Sequence, residues 1–303
     1  MDVGVIGTGQ MGKNHVRVYS ELKEVNNLYV YDLNQDASIQ VAKEHDAESV
    51  QSLEELSKKV DAVSLCVPTP FHFKTVMEVL KYEINTLIEK PICQTSEEGR
   101  ALLQNLPADL TIGVGHIERF NPIVSEIKNI ISHPLYVEFK RHNPASARMT
   151  GSSVVEDLMI HDIDIVMHCL FSDRIDITAR GSDDVAAALG SCEGATVYLS
   201  ASRKASKKIR MIHIEQEDMT IQGDFMTQEI YVYRKPGQYS IENQRYIQEN
   251  IVEKVQVAKQ EPLRTELSTF LACVRNNKPF PITPEQALMN LCMCEDIRKA
   301  MNI

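Results

Sequence analysis

No run in this 303-residue chain approaches the roughly 18 consecutive apolar residues that span a bilayer, and no charged-then-apolar leader precedes Gly7. Neither membrane insertion nor secretion is expected. Cations are also in deficit: 32 Lys+Arg against 42 Asp+Glu give a formal charge of -10, which repels a phosphate backbone unless basic residues are concentrated locally. Nucleic acid is an unsuitable partner. The seven cysteines are an odd number, spread from Cys66 to Cys294 and mostly inside apolar runs. They imply no disulfide framework and suit reduced, buried thiols of a cytoplasmic protein. Cys292-x-Cys294 has no second pair, no His/Cys/carboxylate group has zinc-ligand spacing, and there is no G-x-S-x-G elbow. Metal and serine-hydrolase chemistries are set aside. Internal repeats and low-complexity tracts are absent too.

What is present is enough chain for two domains. Over the first ~115 residues, apolar runs at Val3–Gly7, Leu28–Asp32, Ala62–Val67, Asn85–Glu89 and Leu110–Gly115 alternate with amphipathic stretches. Strands alternating with helices predict βαβ units and a parallel sheet, and continuous apolar runs such as VSLCV predict burial on both faces. After Gly115, Phe120–Ile131 and Val154–Phe171 carry helical periodicity, whereas Ile175–Arg234 is a succession of alternating Thr/Val/Ile/Tyr-rich runs. The expectation is α/β: an N-terminal doubly wound Rossmann domain (1–118), then an α+β domain (119–303) with a large, mainly antiparallel sheet covered by helices on one face. The Arg234–Gly237 turn is expected to end the sheet. Helices at Pro262–Asn276 and Pro284–Met301 close the chain, the last free to pack back on the first domain.

The string VGVIGTGQMG places Gly7, Gly9 and Gly12 in G-x-G-x-x-G spacing after the first strand and at the start of a helix. Gly7 allows the tight turn, Gly9 lets backbone approach a pyrophosphate, and Gly12 allows close helix–strand packing. Thr8, Gln10 and Met11 complete the loop, whose helix N-terminus offers N–H groups to the anion. Asp32 ends the next strand 20 residues beyond Gly12, where a carboxylate accepts from the ribose 2′- and 3′-hydroxyls and repels a 2′-phosphate. With Leu33 and Asn34 following, and no Arg, NAD is expected over NADP.

Two further motifs fall at the ends of predicted parallel strands: Val67-Pro68-Thr69-Pro70 followed by His72, and Glu89-Lys90-Pro91. Such ends line the ligand crevice of an open α/β sheet. Together with GTGQMG they resemble the Gfo/Idh/MocA oxidoreductase family over essentially the whole chain, Glu-Lys-Pro being the most specific mark. The resemblance implies that Pro68, Thr69, His72, Glu89 and Lys90 border the cofactor and that Lys90 also faces substrate. It further implies that an Asp-x-x-x-His pair, here Asp157 and His161, supplies the proton-transfer group. Residues 157 and 161 are i and i+4 and share a helical face. Oxidising a secondary alcohol requires a base with a pKa near working pH, which suits His161; Asp157 can orient it, and Lys90 can stabilise alkoxide character. His168 reads as core packing, His116 as a group at the domain junction, and Asp162 and Asp164 as members of a solvated or interdomain face.

One local departure from the acidic average is Arg203–Arg210, with five cations in eight residues. A solvated hairpin loop and a pyrophosphate-binding loop read equally well from composition. The stretches GHIERFNP, EDLMIHDIDI, SRKASKKIR, EPLRTEL and PITPEQAL resemble the sugar-nucleotide branch of the family. That branch implies oxidation of UDP-N-acetylglucosamine at the 3-hydroxyl, an early step of glycan modification that feeds a partner aminotransferase. Arg203 and Lys207 would then hold the diphosphate, with Arg119, Phe120 and Asn121 also at the substrate. UDP-N-acetylglucosaminuronate, whose extra carboxylate Arg119, Arg141 or Arg148 could meet, a free polyol such as inositol, and a non-catalytic NAD-binding regulator remain open. A homodimer or homotetramer is expected through the open sheet face, with Tyr198, Ile212, Ile214, Ile230 and Val232 read as exposed there.

Overall fold

The computed structural model describes residues 1–144, 152–172, 175–235, 239–242, 245–248 and 251–303, the two four-residue stretches as backbone. Arg148, raised above as a carboxylate partner, lies outside them, as does part of the Arg234–Gly237 turn. The chain divides into two compact units, Met1–Ile117 with Glu261–Cys292, and Glu118–Gln260 with Met293–Ile303.

In the first unit, β1 (Asp2–Ile6), β2 (Asn27–Tyr31), β3 (Glu48–Ser49), β4 (Ala62–Leu65), β5 (Asn85–Glu89) and β6 (Ile112–Gly115) form one parallel sheet in the order β3-β2-β1-β4-β5-β6. This is the doubly wound dinucleotide order. The apolar runs become strands buried on both sides, with Val3, Val5, Ile6, Leu87 and Ile88 all at most 1% exposed. Between them run α1 (Gln10–Ser20), α2 (Gln35–Glu44), α3 (Leu53–Ser57), α4 (His72–Val79) and α5 (Ser96–Leu103). Asn34, Ser52 and Thr95 cap α2, α3 and α5 by accepting from backbone N–H groups three residues on. The two-residue β3 is too short to leave a periodic signal.

The expected division at 118/119 lets only the last helix pack back on the first domain, whereas the whole of Glu261–Cys292 packs with the first unit. Its apolar anchors explain this. Phe280 lies so close over β6 that a Cβ on Gly113 would meet its ring at 2.4 Å. Phe270 stacks edge-on against Phe280, and Val114 N–H donates to Ile282 O at 3.2 Å.

The second unit holds an eight-stranded sheet built from β7 (Tyr136–His142), β8 (Asp176–Gly181), β9 (Val185–Cys192), β10 (Ala195–Ser202), β11 (Ile209–Glu215), β12 (Met219–Asp224), β13 (Glu229–Arg234) and a later strand, while β14 (Tyr239–Glu242) and β15 (Arg245–Gln248) pair as a separate hairpin. All pairings in the large sheet are antiparallel except β7 with β10. The turn after Arg234 does not end the sheet, because β16 (Ile251–Val255) returns to pair with β13. Charged residues and an exposed Ile251 and Val252 hide its alternation.

The helical layer comprises α6 (Pro122–Ile130) and α7 (Ile160–Ile165), the latter continued on both sides by wider turns at Val155–Met159 and Val166–Leu170. The C-terminal helices are α8 (Pro262–Arg275) and α9 (Pro284–Met301). The covered sheet face is opposite to the one expected. Ile212, Ile214, Ile230 and Val232 are at most 1% exposed and belong to one apolar core with Ile123 and Ile127 of α6. The register explains it: Ile212 and Ile214 sit beside Phe139 and Val137. The other face carries Met211, Leu189 and Tyr233, each more than a third exposed, with Tyr198 half-buried.

Candidate active site

The loop after β1 has the geometry its glycines imply. Gly7 has φ +94°, and a Cβ there would meet the Cys66 carbonyl and Val67 nitrogen at 2.9 Å; one on Gly12 would lie 1.8 Å from Gly7 O. Gly9 differs from both. It caps α1 with no side-chain hydrogen bond, and a Cβ there would meet nothing within 4 Å, so the helix N-terminus borders open space that a branched side chain would fill. Gln10 is exposed and Met11 half-buried on the first turn.

Asp32 ends β2 beside this loop. Its Oδ2 accepts from Thr8 N at 2.6 Å and Thr8 Oγ1 at 2.8 Å, and its Oδ1 accepts from Asn34 N at 2.8 Å. The carboxylate is therefore fixed at the strand end. An open glycine cradle at a helix N-terminus and an anchored carboxylate one strand over fit the pyrophosphate and adenosine ribose of NAD.

The next two strand ends come together around His72. Its ring is 1% exposed, with Nδ1 2.8 Å from Pro91 O and Nε2 2.8 Å from Val67 O. Burial lowers its pKa, against the raising effect of those carbonyls. His72 thus lies beneath the loops it joins, while Thr69 is half-buried and Pro68 exposed above it. Glu89 is buried as well: Oε1 stands 2.9 Å from His15 Nε2, and Oε2 accepts from the Lys90 backbone N–H at 3.2 Å. Burial opposes its charge, but the His15 hydrogen bond and the positive charges of His15 and Lys90 hold its carboxyl below the ordinary range. Lys90 itself is half-buried at the end of β5.

In the second unit, Asp157 and His161 are half-buried on the helical stretch Val155–Leu170. Asp162 and Asp164 do not face solvent; each is 1% exposed and engaged by an arginine. Arg141, on the apolar phase of β7, is 1% exposed and forks onto Asp162 through Nε at 2.9 Å and Nη2 at 2.6 Å. Its Nη1 donates to Glu118 Oε1 at 2.8 Å, which also accepts from Arg210 Nη1 at 2.9 Å. Burial works against the Glu118 charge, yet both arginines hold its carboxyl below the ordinary range. Arg119 is bidentate on Asp164 through Nε, at 2.8 Å, and Nη2. Asn121 is 3% exposed, caps α6 and donates to Phe225 O at 3.0 Å. Arg119, Asn121 and Arg141, expected at substrate, thus each have partners within the protein, and Phe120 is half-buried.

The basic segment divides in two. Arg203 is buried, donating to Asp184 Oδ1 at 2.6 Å, Ser152 O at 2.6 Å and Asp183 O at 2.9 Å, and Lys204 pairs with the same Asp184 at 2.9 Å. Lys207 and Lys208 stay exposed, and the charge of Arg210, then burial, lowers the Lys208 pKa. Sequence reasoning missed His15 and Glu266. His15 follows the glycine loop on α1 with no motif to single it out, whereas Arg141 did leave a signal, a cation in phase with Val137 and Phe139.

A family model described as an oxidoreductase family with an NAD-binding Rossmann fold (Gfo/Idh/MocA) matches residues 1–116. The chain is 29% identical over 293 residues to a UDP-N-acetylglucosamine 3-dehydrogenase of Acidithiobacillus ferrooxidans, covering 92% of this chain and 90% of that one. A solved structure of an A. ferrooxidans UDP-N-acetylglucosamine 3-dehydrogenase superposes with a TM-score of 0.89 at 28% identity, covering 99% of this chain and 97% of that one. A scyllo-inositol 2-dehydrogenase (NAD(+)) of Bacillus subtilis is 26% identical, covering 95% and 90%.

Proposed function

We propose that this chain, whose residues 1–116 belong to the NAD-binding Rossmann domain of the Gfo/Idh/MocA oxidoreductases, oxidises the 3-hydroxyl of UDP-N-acetylglucosamine to a ketone. The observation that carries the substrate is the near full-length likeness to a dehydrogenase of that specificity. NAD, when bound, supplies the hydride acceptor. Everything else falls to side chains. The Gly7–Gly12 loop holds the pyrophosphate, and Asp32 takes the ribose hydroxyls. His161 accepts the hydroxyl proton, Asp157 orients its ring, and the Lys90 ammonium steadies the negative charge that grows on oxygen.

The diphosphate falls to Lys207 and Lys208 rather than to Arg203, since the exposed cations have donors to offer and the buried guanidinium is already held. Affinity for the sugar nucleotide should then drop with ionic strength. Free N-acetylglucosamine should be a poor substrate, because remote binding energy orients the reacting carbon. The ketone is a fitting substrate for a transaminating partner. We further infer that copies associate through the open face bearing Met211, Leu189 and Tyr233. The free thiols suit the reducing cytoplasm.

The test is mass spectrometry after incubation with NAD and a panel of UDP-sugars plus inositol, with a trapping aminotransferase present because ketone formation is uphill. Loss of two hydrogens from UDP-N-acetylglucosamine is expected for the ketone itself, and replacement of one hydroxyl by an amine once the aminotransferase and its amino donor have trapped it. Consumption of inositol with every UDP-sugar untouched would move the substrate to the polyols, and tight NAD binding with nothing oxidised would point to a regulator. Light scattering that returned a monomer would remove the association.

A further inference from the structure

Three buried titratable groups of the first unit have no part in the chemistry above. His15 on α1, Glu89 at the end of β5 and Glu266 on α8 are 0%, 7% and 0% exposed. One ligand atom from each lies within 4.8 Å of the other two. His15 and Glu89 are at hydrogen-bonding distance, and the other Glu89 oxygen holds the backbone N–H of Lys90. Two carboxylates so close in a dry interior repel each other and are costly unless a positive charge lies with them.

Other titratable groups act on the same three. Tyr19, on α1, is pushed up by burial and, in part, by Glu266. Cys66, just after β4, is pushed up by burial and by both carboxylates, so each is neutral. His72, on α4, is turned to the carbonyls of Val67 and Pro91. The Lys90 ammonium acts on Glu89.

We propose that His15 is a positioning residue for Lys90: Glu266 flanks the ring, Nε2–H fixes the Glu89 carboxylate, and that carboxylate fixes the Lys90 backbone. This rests on the reading that Lys90 works on substrate, but its first test does not require turnover. One imidazole and two carboxylates are also a possible divalent-metal donor set. The hydrogen-bonding distance and the engagement of Glu89 Oε2 by Lys90 favour a shared proton.

The experiment compares Glu266→Gln, His15→Gln and His15→Ala with the wild type. Hydrogen exchange of a peptide spanning residues 88–93 should speed up about tenfold in Glu266→Gln and His15→Ala, with a β4 peptide as the unchanged control and His15→Gln, which keeps a donor, partly rescued. In turnover, Glu266→Gln should lower kcat about tenfold with KM for NAD within about twofold, and its Tm should hold or rise as a buried charge is removed. Unchanged exchange in His15→Ala overturns the proposal, as does a Tm that falls in step with kcat. So does a stoichiometric divalent metal in the purified protein whose chelation loosens the same peptide. If the wild type oxidises no sugar while exchange responds as stated, the positioning role stands and the substrate reading falls.

Discussion

The ring of His72 stands between two backbones, its Nδ1 2.8 Å from the carbonyl oxygen of Pro91 and its Nε2 2.8 Å from that of Val67. One imidazole thereby joins the Val67–Pro70 loop to the loop that carries Lys90, and the separation of two strand ends depends on a side chain that no solvent reaches.

That arrangement sets a pH dependence. Burial lowers the folded pKa of His72 below the ordinary value of about 6.5, so between the two the unfolded chain binds the extra proton. Stability contributed by this residue is full above about 6.5 and falls as pH drops towards the depressed folded value. His72→Gln, which cannot titrate, should flatten the slope of Tm against pH between about 7 and 5. An unchanged slope would show that His72 titrates alike in the folded and unfolded chains, and a steeper one that the fold holds it protonated.

Cofactor choice follows from the fixed Asp32 carboxylate. kcat/KM should favour NAD over NADP, and Asp32→Ala should erode the difference while freeing Thr8 N–H and Oγ1, which donate to it. Wild-type preference for NADP would overturn the assignment.

Gly9→Val puts a branched side chain into the open space in front of α1 and should abolish NAD binding by calorimetry with little loss of Tm, since no protein atom lies within 4 Å of the added Cβ. Gly12→Ala should instead fail to fold well, because its Cβ would fall 1.8 Å from Gly7 O. Equal behaviour of the two variants would contradict the division of roles.

Lys90→Ala and His161→Ala should each lower kcat, by about 10²–10⁴ for the proton-transfer group, with Tm nearly unchanged. Retained turnover in either variant removes that residue from the mechanism.

Arg141→Leu strands Asp162 and Glu118 in the interior without their shared cation. Breaking a buried pair from one side costs about 3–5 kcal/mol, which at this size lowers Tm by on the order of 10 °C. Arg141→Lys should recover little, since an ammonium cannot fork onto Asp162. Scanning calorimetry that finds both variants within a degree or two of wild type would show the network to be incidental.

Local chemistry made much of this legible. Gly7, Gly9 and Gly12 are constrained by backbone geometry within one turn, and Asp32 and Lys90 by the ends of strands whose apolar runs are unmistakable, so their placement could be read before any tertiary contact was known. Facing in the large sheet could not be read that way. Ile212 and Ile230 alternate equally well towards either side, and only the register against Phe139 and the seating of α6 decide which side is covered. Nor could partners 244 residues apart, such as Arg17 and Glu261, or the trio around His15, be paired from spacing alone. Arg203 shows the opposite error: a cation-rich string looks like one ligand site, yet its first member is held by backbone carbonyls of a different loop.

The discontinuity of the first unit bears on its biosynthesis. The first 117 residues leave the ribosome with Gly113 bare, because Phe280, which covers it, is made much later. At about 5–20 residues per second the intervening stretch takes on the order of ten seconds to appear. During that interval the β6 edge of a nearly complete parallel sheet is without its cap. A chain truncated before residue 280 should stay protease-sensitive around Ile112–Gly115, and the released full chain should be resistant there.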